Sequence, residues 1–428
     1  MNNDKTLNNN IDTTNANFDH HQRVAIVFVN CTDEYQIQEL TQLVNTANGQ
    51  VVLVVNQNRA TMDNASLIGS GKLDELSQQV KSLNIEVVVF QDQLSPSQHR
   101  NIQDKVECIV LDRTNLILDI FALHATTAEG KIQVELAQLK YTLPKLRSMQ
   151  GELSRQGAGA GSKGVGIGTR GPGETKLETD KRKIRIKIDM LKKRLLEIQK
   201  QRDVLRLPRQ KNMVPTISLV GYTNAGKSTL FNALTGANML VEDKLFATLD
   251  TTARSITLPN GTNAIVTDTV GFISNLPHDL VESFKSTLEE ATQADIILNV
   301  CDYSSPEVNK HIEVTKNLLA ELGTTAEIID VYNKIDISSV NTQLDSSIIA
   351  VSALKRTGLD KLRERIVSIL NNRFCTIKLM LPFSQLNVLG LVNKYGKNTT
   401  INYNDEGAEV LTTVQRIYLT KFADYMVI

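Results

Sequence analysis

The sequence predicts a multi-domain α/β protein, and three features carry that reading. Strand-length apolar runs alternate with helix-like stretches from residue 23, two heptad-patterned stretches flank a glycine-rich loop, and a second strand–helix alternation begins after residue 212. A length of 428 residues exceeds one ordinary domain, and 41% hydrophobic residues suffice for real cores. The 47 Lys/Arg balance 47 Asp/Glu, so any affinity for polyanions must come from local clustering. Cys31, Cys108, Cys301 and Cys375 stand far apart, with no C-x-x-C pair and no flanking histidines. That argues against zinc sites and a disulfide framework, and fits a reducing compartment.

Residues 1–22, MNNDKTLNNNIDTTNANFDHHQ, hold no apolar stretch of the kind a secretory signal needs and predict a disordered Asn-rich tail. Apolar runs elsewhere fall well short of the ~20 residues that cross a bilayer, so no membrane insertion is expected. An N-terminal α/β domain is placed at 23–125. RVAIVFV (23–29), QVVLVV (50–55), EVVVF (86–90) and VECIVL (106–111) are unbroken apolar runs, as in a sheet covered on both faces. The stretches between them have helical spacing, which implies parallel strands joined by helices. Asp112 and Arg113 follow the fourth run and read as a satisfied surface pair.

Residues 126–212 predict a helical hairpin. Ile132, Leu136, Leu139, Leu143 and Leu146 step by four, three, four and three; Ile184, Ile188, Leu191, Leu195, Ile198 and Leu205 keep the rhythm, with Arg202 breaking the seam. Two such stripes joined by a loop form an antiparallel coiled-coil pair. The loop (about 150–178) contains a G-x-G-x-x-G at Gly166, Gly168 and Gly171, yet a helix precedes it where a dinucleotide fingerprint needs a strand. The second arm, 179–211, has 13 Lys/Arg against 4 Asp/Glu. That excess favours an arm facing polyphosphate over a merely solvated one.

Residues 213–372 open with PTISLVGYTNAGKSTLFNALTG, a strand, a G-x-x-x-x-G-K-S loop and a helix. Backbone N–H groups along Gly221, Tyr222, Thr223, Asn224, Ala225, Gly226, Lys227, Ser228 and Thr229 would cradle phosphates at a helix N-terminus. Lys227 would reach the β/γ-phosphates and the Ser228 hydroxyl would bind Mg²⁺. NAIVTDTVG ends a second strand in Asp268, Thr269, Val270 and Gly271, where Asp268 can hold Mg²⁺ through water and the Gly271 N–H can meet the γ-phosphate. EIIDVYNKID leads into Asn333, Lys334, Ile335 and Asp336. That last carboxylate can accept from the N1–H and exocyclic amine of guanine, a pattern adenine lacks. SIIAVSALKRTG brings Ser352, Ala353 and Leu354, whose backbone can meet guanine O6. In this order, each after a strand, the motifs predict a P-loop GTPase domain. LFATLDTTARSI (245–256) reads as a switch, and spacing leaves Thr248, Thr251 and Thr252 equally able to reach Mg²⁺.

With GTRGPGETKLETDKR, FATLD, DTVGFISNLPHDLVESFKSTLEE, NKID and LILDIFALHATTAEGKIQVELAQLKYTLPKL on the same chain, the sequence resembles the HflX family of ribosome-associated GTPases. The similarity runs from about residue 23 to the C-terminus and is strongest over 112–300. It implies Thr248 as the switch threonine on Mg²⁺, with Phe246, Ala247, Thr248, Leu249 and Asp250 along the nucleotide and 352–354 completing the guanine site. It also implies a small α/β C-terminal domain at 373–428, where CTIKLML and EVLTTV are strand-like. Two departures stand out: Thr251 where the family usually has proline, and a longer glycine loop. Asn224 resembles the asparagine that coordinates K⁺ in some relatives. Pro277 and Asp279 suit a turn and helix start, and His278 reads as a capping or contact residue.

Phe272 stands where many GTPases place a water-orienting glutamine. The expected catalytic set is therefore Lys227, Thr248, Gly271 and Phe272, with slow basal turnover raised by a large ribosomal subunit. The resemblance implies GTP and GDP, the 50S subunit and ribosomal RNA as partners of a cytoplasmic, partly ribosome-associated monomer that rescues, splits or regulates stalled ribosomes. The glycines and Arg170 at the hairpin tip would touch irregular RNA. Two other functions compete. A GTP-driven RNA-modifying enzyme lacks a visible catalytic cysteine or cofactor motif, and a GTP-gated protein scaffold would leave the basic arm dispensable.

Overall fold

Unbroken runs of Val, Ile and Phe favour strands with both faces covered, and the N-terminal part of the chain folds that way. The computed structural model describes residues 21–157, 172–211, 214–237, 244–246, 248, 251–269, 271–273, 284, 291–337 and 348–427. Residues 1–20 of the expected tail lie outside these, while Gln22 opens the first strand; of the loop expected at about 150–178, residues 158–171 lie outside, and 150–157 and 172–178 belong instead to the two long helices that flank it. Strands β1 (Gln22–Val29), β2 (Gly49–Gln57), β3 (Val87–Phe90) and β4 (Ile109–Asp112) form a parallel sheet in the order β2-β1-β3-β4. Helices α1 (Glu34–Thr46) and α4 (Arg113–His124) cover one face through Leu40, Leu43, Ile117 and Phe121. The other face is covered by α2 (Ser70–Ser82) and α3 (Pro96–Val106) through Leu76, Val80, Ile102 and Val106. Helix α3 starts at a capping box, Ser95 with Gln98, followed by Pro96, which has no N–H to leave unsatisfied.

Asp112 and Arg113 are not a surface pair: they are 0% and 5% exposed, and each finds a partner on another element. The chain turns from strand to helix between them, which sends the two side chains apart. Asp112 caps α4 by accepting from the Asn115 N–H at 2.9 Å, and accepts also from Tyr141 Oη at 2.5 Å and Lys145 Nζ at 3.1 Å. Arg113 donates to Glu39 of α1 at 2.8 Å.

The heptads do form a hairpin. Helices α5 (Ala128–Gly157) and α6 (Pro172–Lys211) bury Ile132 and Leu136 against Ile188 and Leu191, flanked by Leu139, Leu143, Ile184, Leu195 and Ile198. Leu146 and Leu205 lie outside the residues described to their side chains. Arg202 interrupts the apolar seam to pair with Glu129 at 2.7 Å, so the end of α6 meets the start of α5 and the arms run antiparallel.

A second sheet has the order β10-β9-β8-β5-β7-β6. It comprises β5 (Thr216–Gly221), β6 (Thr252–Thr257), β7 (Asn263–Asp268), β8 (Ile296–Asp302), β9 (Glu327–Asn333) and β10 (Ile349–Ala350). All pairs are parallel except β6 with β7. β6 uses the second half of the stretch read as a switch. Helices α7 (Lys227–Thr235), α8 (Val308–Glu321) and α9 (Leu359–Arg373) pack around this sheet. The last sheet is antiparallel: β11 (Phe374–Leu381), β13 (Gly407–Gln415) and β12 (Gly396–Asn404), with α10 (Leu389–Tyr395) between β11 and β12 in the chain. The polar edge strand β12, GKNTTINYN, carries no apolar alternation and is not foreseen by the sequence.

Tyr141→Phe removes one of the partners that keep the Asp112 carboxylate tolerable in the interior. We expect a loss of about 1–3 kcal/mol, read as a lower denaturant midpoint; an unchanged midpoint would show that the hydroxyl is dispensable.

Candidate nucleotide-binding site

Strand β5 ends at Gly221 and α7 begins at Lys227, so the loop between them aims the first N–H groups of a helix at one point. Two glycines make that loop possible. Gly221 has φ +143°, and a Cβ there would lie 2.2 Å from the Val300 carbonyl oxygen. Gly226 has φ +87°, and its Cβ would lie 2.3 Å from Asn333 Nδ2. The loop opens on a cleft of about 360 Å³. Thr223, Asn224, Gly226, Lys227, Ser228, Thr229, Phe246, Thr248, Gly271, Asn333, Lys334, Asp336, Ala353 and Leu354 line it, joined by Lys244 and Ile337, which the motifs do not single out.

One end of the cleft gathers oxygen atoms. Ser228 Oγ donates to Asp268 Oδ2 at 2.7 Å and lies 2.8 Å from Thr248 Oγ1. Of the three threonines that spacing leaves open, Thr248 is the one whose hydroxyl meets Ser228. Thr252 lies in β6, opposite Asp268 in the ladder. Asp268 Oδ1 is buried without a partner among the described residues. Two hydroxyls and a carboxylate with a spare oxygen suit a small hard cation that keeps several of its waters. Burial pushes the Asp268 carboxyl up, and the Lys227 charge beside it opposes that shift. Lys227 is buried too and donates to the Tyr222 carbonyl at 2.7 Å. Burial pushes its ammonium down to about 8, against the pull of Asp268. An anion entering between the loop and Lys227 supplies the charge this interior lacks.

The other end is braced by Asn333. Its Nδ2 donates to the Ala225 carbonyl at 2.9 Å and its Oδ1 accepts from the Ala353 N–H at 3.0 Å, which ties the glycine loop to residues 352–354. Lys334, with φ +63°, pairs with Asp302 at 2.8 Å. A hydrogen bond from the Ser352 hydroxyl, with Lys355 in a lesser role, holds the Asp336 carboxyl below the usual carboxylate range. Leu354 is 77% exposed at the rim. Ile335 stays out of the cleft; its N–H reaches the Val351 carbonyl. Thr269 donates to the Leu219 carbonyl at 2.7 Å. Gly271 leaves room for Lys227, whose Nζ would lie 2.9 Å from a Cβ there.

One expected catalytic residue, Phe272, and one expected nucleotide residue, Tyr222, turn their side chains elsewhere. Phe272 is not beside the cleft: it is buried with Val220, Ala291, Ile297 and Leu319. Its backbone is what serves the loop, bonding Gly221 and Thr223. Tyr222 points at the N-terminal sheet domain, where its hydroxyl bonds Glu39 and its ring stacks on His311 at 3.8 Å. Phe246 lies edge-on to Phe121 of α4 at 4.7 Å, and the Leu245 N–H donates to Thr46 of α1 at 3.2 Å. The cleft is thus seated on α1 and α4. The sequence carries one sign of this: Glu39 shares the buried face of α1 with Leu43 and Thr46. Ala247, Leu249, Asp250, Val270, Pro277, His278 and Asp279 lie outside the described residues.

Residues 34–122 match the family described as GTP-binding GTPase N-terminal, 124–209 the GTP-binding GTPase Middle Region, and 216–334 the 50S ribosome-binding GTPase. A GTPase HflX of Caldanaerobacter subterraneus is 45% identical over 89% of this chain and 88% of its own. The GTPase HflX of Escherichia coli is 45% identical over 73% of this chain and 72% of its own. A crystal structure of SsGBP with GDP covers 82% of this chain and 99% of that one, at 28% identity and a TM-score of 0.49.

Gly226→Ala adds both strain at positive φ and a collision with a braced side chain. We expect GDP affinity, measured by titration calorimetry, to fall by roughly 10- to 100-fold, the equivalent of 1–3 kcal/mol of local strain. Glu39→Ala takes from the buried Arg113 its carboxylate partner and should cost about 3–5 kcal/mol in thermal unfolding. A loss below 1 kcal/mol would mean that solvent reaches this interface.

Proposed function

The chain belongs to the GTPase HflX family, and from that premise we propose a GTP-driven switch that binds the large ribosomal subunit or the whole ribosome in its GTP state and leaves on hydrolysis. It is a GTPase. The observation that carries the nucleotide assignment is the pairing of a braced base end, Asn333 with Ala353, and an oxygen-lined end, Ser228 with Thr248 and Asp268, across one cleft. Asp336 accepts from N1–H and the 2-amino group of guanine, and residues 352–354 offer backbone N–H to O6. The N–H groups of 221–229 take the phosphates, Lys227 bridges the β- and γ-phosphates, and the Gly271 N–H senses the γ-phosphate.

The family generally uses Mg²⁺ with its nucleotide; bound here by Ser228, Thr248 and Asp268, it would offset the charge of the β/γ-phosphate oxygens. The Thr248–Ser228 contact is where a switch of this kind would link the γ-phosphate to the rest of the chain. The Phe272 ring is committed to a core, so no side chain at that position orients the attacking water, and basal hydrolysis is slow until the ribosome supplies the missing order. Asn224, with φ +59° at the cleft, is the candidate K⁺ ligand, and rates in K⁺ against Na⁺ decide it. The basic arm α6 meets ribosomal RNA, and the bound protein rescues, splits or regulates stalled ribosomes before hydrolysis releases it.

Sedimentation with purified 50S and 70S particles, in GDP or a non-hydrolysable GTP analogue across a salt series, tests this reading. Co-sedimentation should require the analogue and weaken steeply with salt; equal pelleting in both nucleotides rejects the switch. Asp336→Asn replaces an acceptor by a donor. GDP affinity should fall roughly 30- to 100-fold, as expected for charge-assisted hydrogen bonds, while xanthosine diphosphate, which presents an oxygen in place of the amine, should bind better than to the wild type.

A further inference from the structure

The three-stranded C-terminal sheet lies beyond the last family match, which ends at residue 334, and its topology sorts its charge. Strands β12 and β13 form a hairpin paired from Gly396↔Val414 to Asn404↔Gly407. Its closed end carries the exposed Asp405 and Glu406; its open end carries the exposed Lys394, Arg416 and Lys421. The nine residues of β12 separate the two, roughly 30 Å of strand.

At the open end, Tyr395 finishes α10 and Tyr418 sits in a short 3₁₀ turn, Arg416–Lys421. Their rings lie 4.5 Å apart at 39°. Lys421 Nζ is 4.4 Å from the Tyr395 ring centroid and donates to its hydroxyl oxygen at 3.1 Å. Lys394 Nζ stands 5.3 Å from the same centroid. Both ammonium groups hold the Tyr395 phenol below its ordinary range. Among the described residues no carboxylate ion-pairs with either lysine; Glu409 of β13 pairs with Lys378 instead, and Asp424 pairs with neither. Two cations gathered round one phenol repel each other, and an anion at that corner relieves the repulsion. The paired rings offer a flat apolar surface beside it, the combination that unpaired nucleic acid uses.

We propose that Lys394, Tyr395, Tyr418 and Lys421 form a second RNA contact, in which the two ammonium groups take a phosphodiester and the tyrosine pair stacks a neighbouring unpaired base. The site rests on the ribosomal reading only for which RNA it meets. The test uses the full chain with a fluorescent single-stranded RNA oligonucleotide and, separately, with 50S particles in the non-hydrolysable analogue, across a salt series.

For K394Q/K421Q, oligonucleotide affinity should fall about tenfold at low salt, and the slope of log affinity against log salt should shrink by ~1–2. The melting temperature and basal GTP hydrolysis should stay unchanged. Tyr395→Leu should weaken binding with little change in that slope, and Asp405→Asn with Glu406→Gln should not weaken it. Unchanged affinity and slope in K394Q/K421Q overturn the site. So does weakened binding to 50S particles with oligonucleotide affinity unchanged, which would make this a protein-docking face. Wild-type chain that ignores 50S particles but binds the oligonucleotide through these lysines upholds the site and sinks the ribosomal reading.

Discussion

A carboxylate that is 5% exposed cannot stay charged in a protein interior unless other groups answer it. Glu39 is answered by the guanidinium of Arg113 at 2.8 Å and by the hydroxyl of Tyr222. Arg113 begins the helix that covers the N-terminal sheet, and Tyr222 is the second residue of the phosphate loop. The two sheets therefore share one buried polar knot. Around the knot the seam is apolar. Phe246, Ile273 and Phe284 join Phe121 and Leu43 in a single core, so segments of the nucleotide domain pack against a different sheet from the one that carries them.

The same electrostatic rule shapes the cleft. Lys227 and Asp268 are both buried, and each opposes the neutralisation that burial presses on the other. Neither is fully satisfied by protein: Asp268 Oδ1 has no partner among the described residues, and Lys227 makes do with a loop carbonyl. A site with unspent charge of both signs is prepared for a phosphate and a cation together. Asn333 keeps the two ends of the cleft in register, since one side chain bonds the loop on one side and Ala353 on the other.

Charge elsewhere is sorted by architecture. A chain with no net charge places a basic excess along α6 and a smaller lysine–tyrosine cluster at the open end of the β12–β13 hairpin. Both lie on elements that precede or follow the nucleotide domain in the chain.

Local order in the chain was enough to read the parallel N-terminal sheet, the motif-bearing strands of the second sheet, the hairpin and the phosphate loop, because strand propensity, heptad spacing and a glycine–lysine turn are each written within a few tens of residues. The sequence alone also narrowed the chemistry to guanine nucleotides. What it could not carry were partnerships over long separations. Tyr222 and Glu39 lie 183 residues apart, so nothing near either one announces their bond, and Asp112 and Arg113 read as surface neighbours until other helices arrive to bury them. Thr248 meets Ser228, whereas the pairing of β6 with β7 holds Thr252 in the ladder opposite Asp268. Phe272 turns inward because a core is waiting for it on the far side of β5. In each case the deciding contact is made by residues that only folding brings within reach.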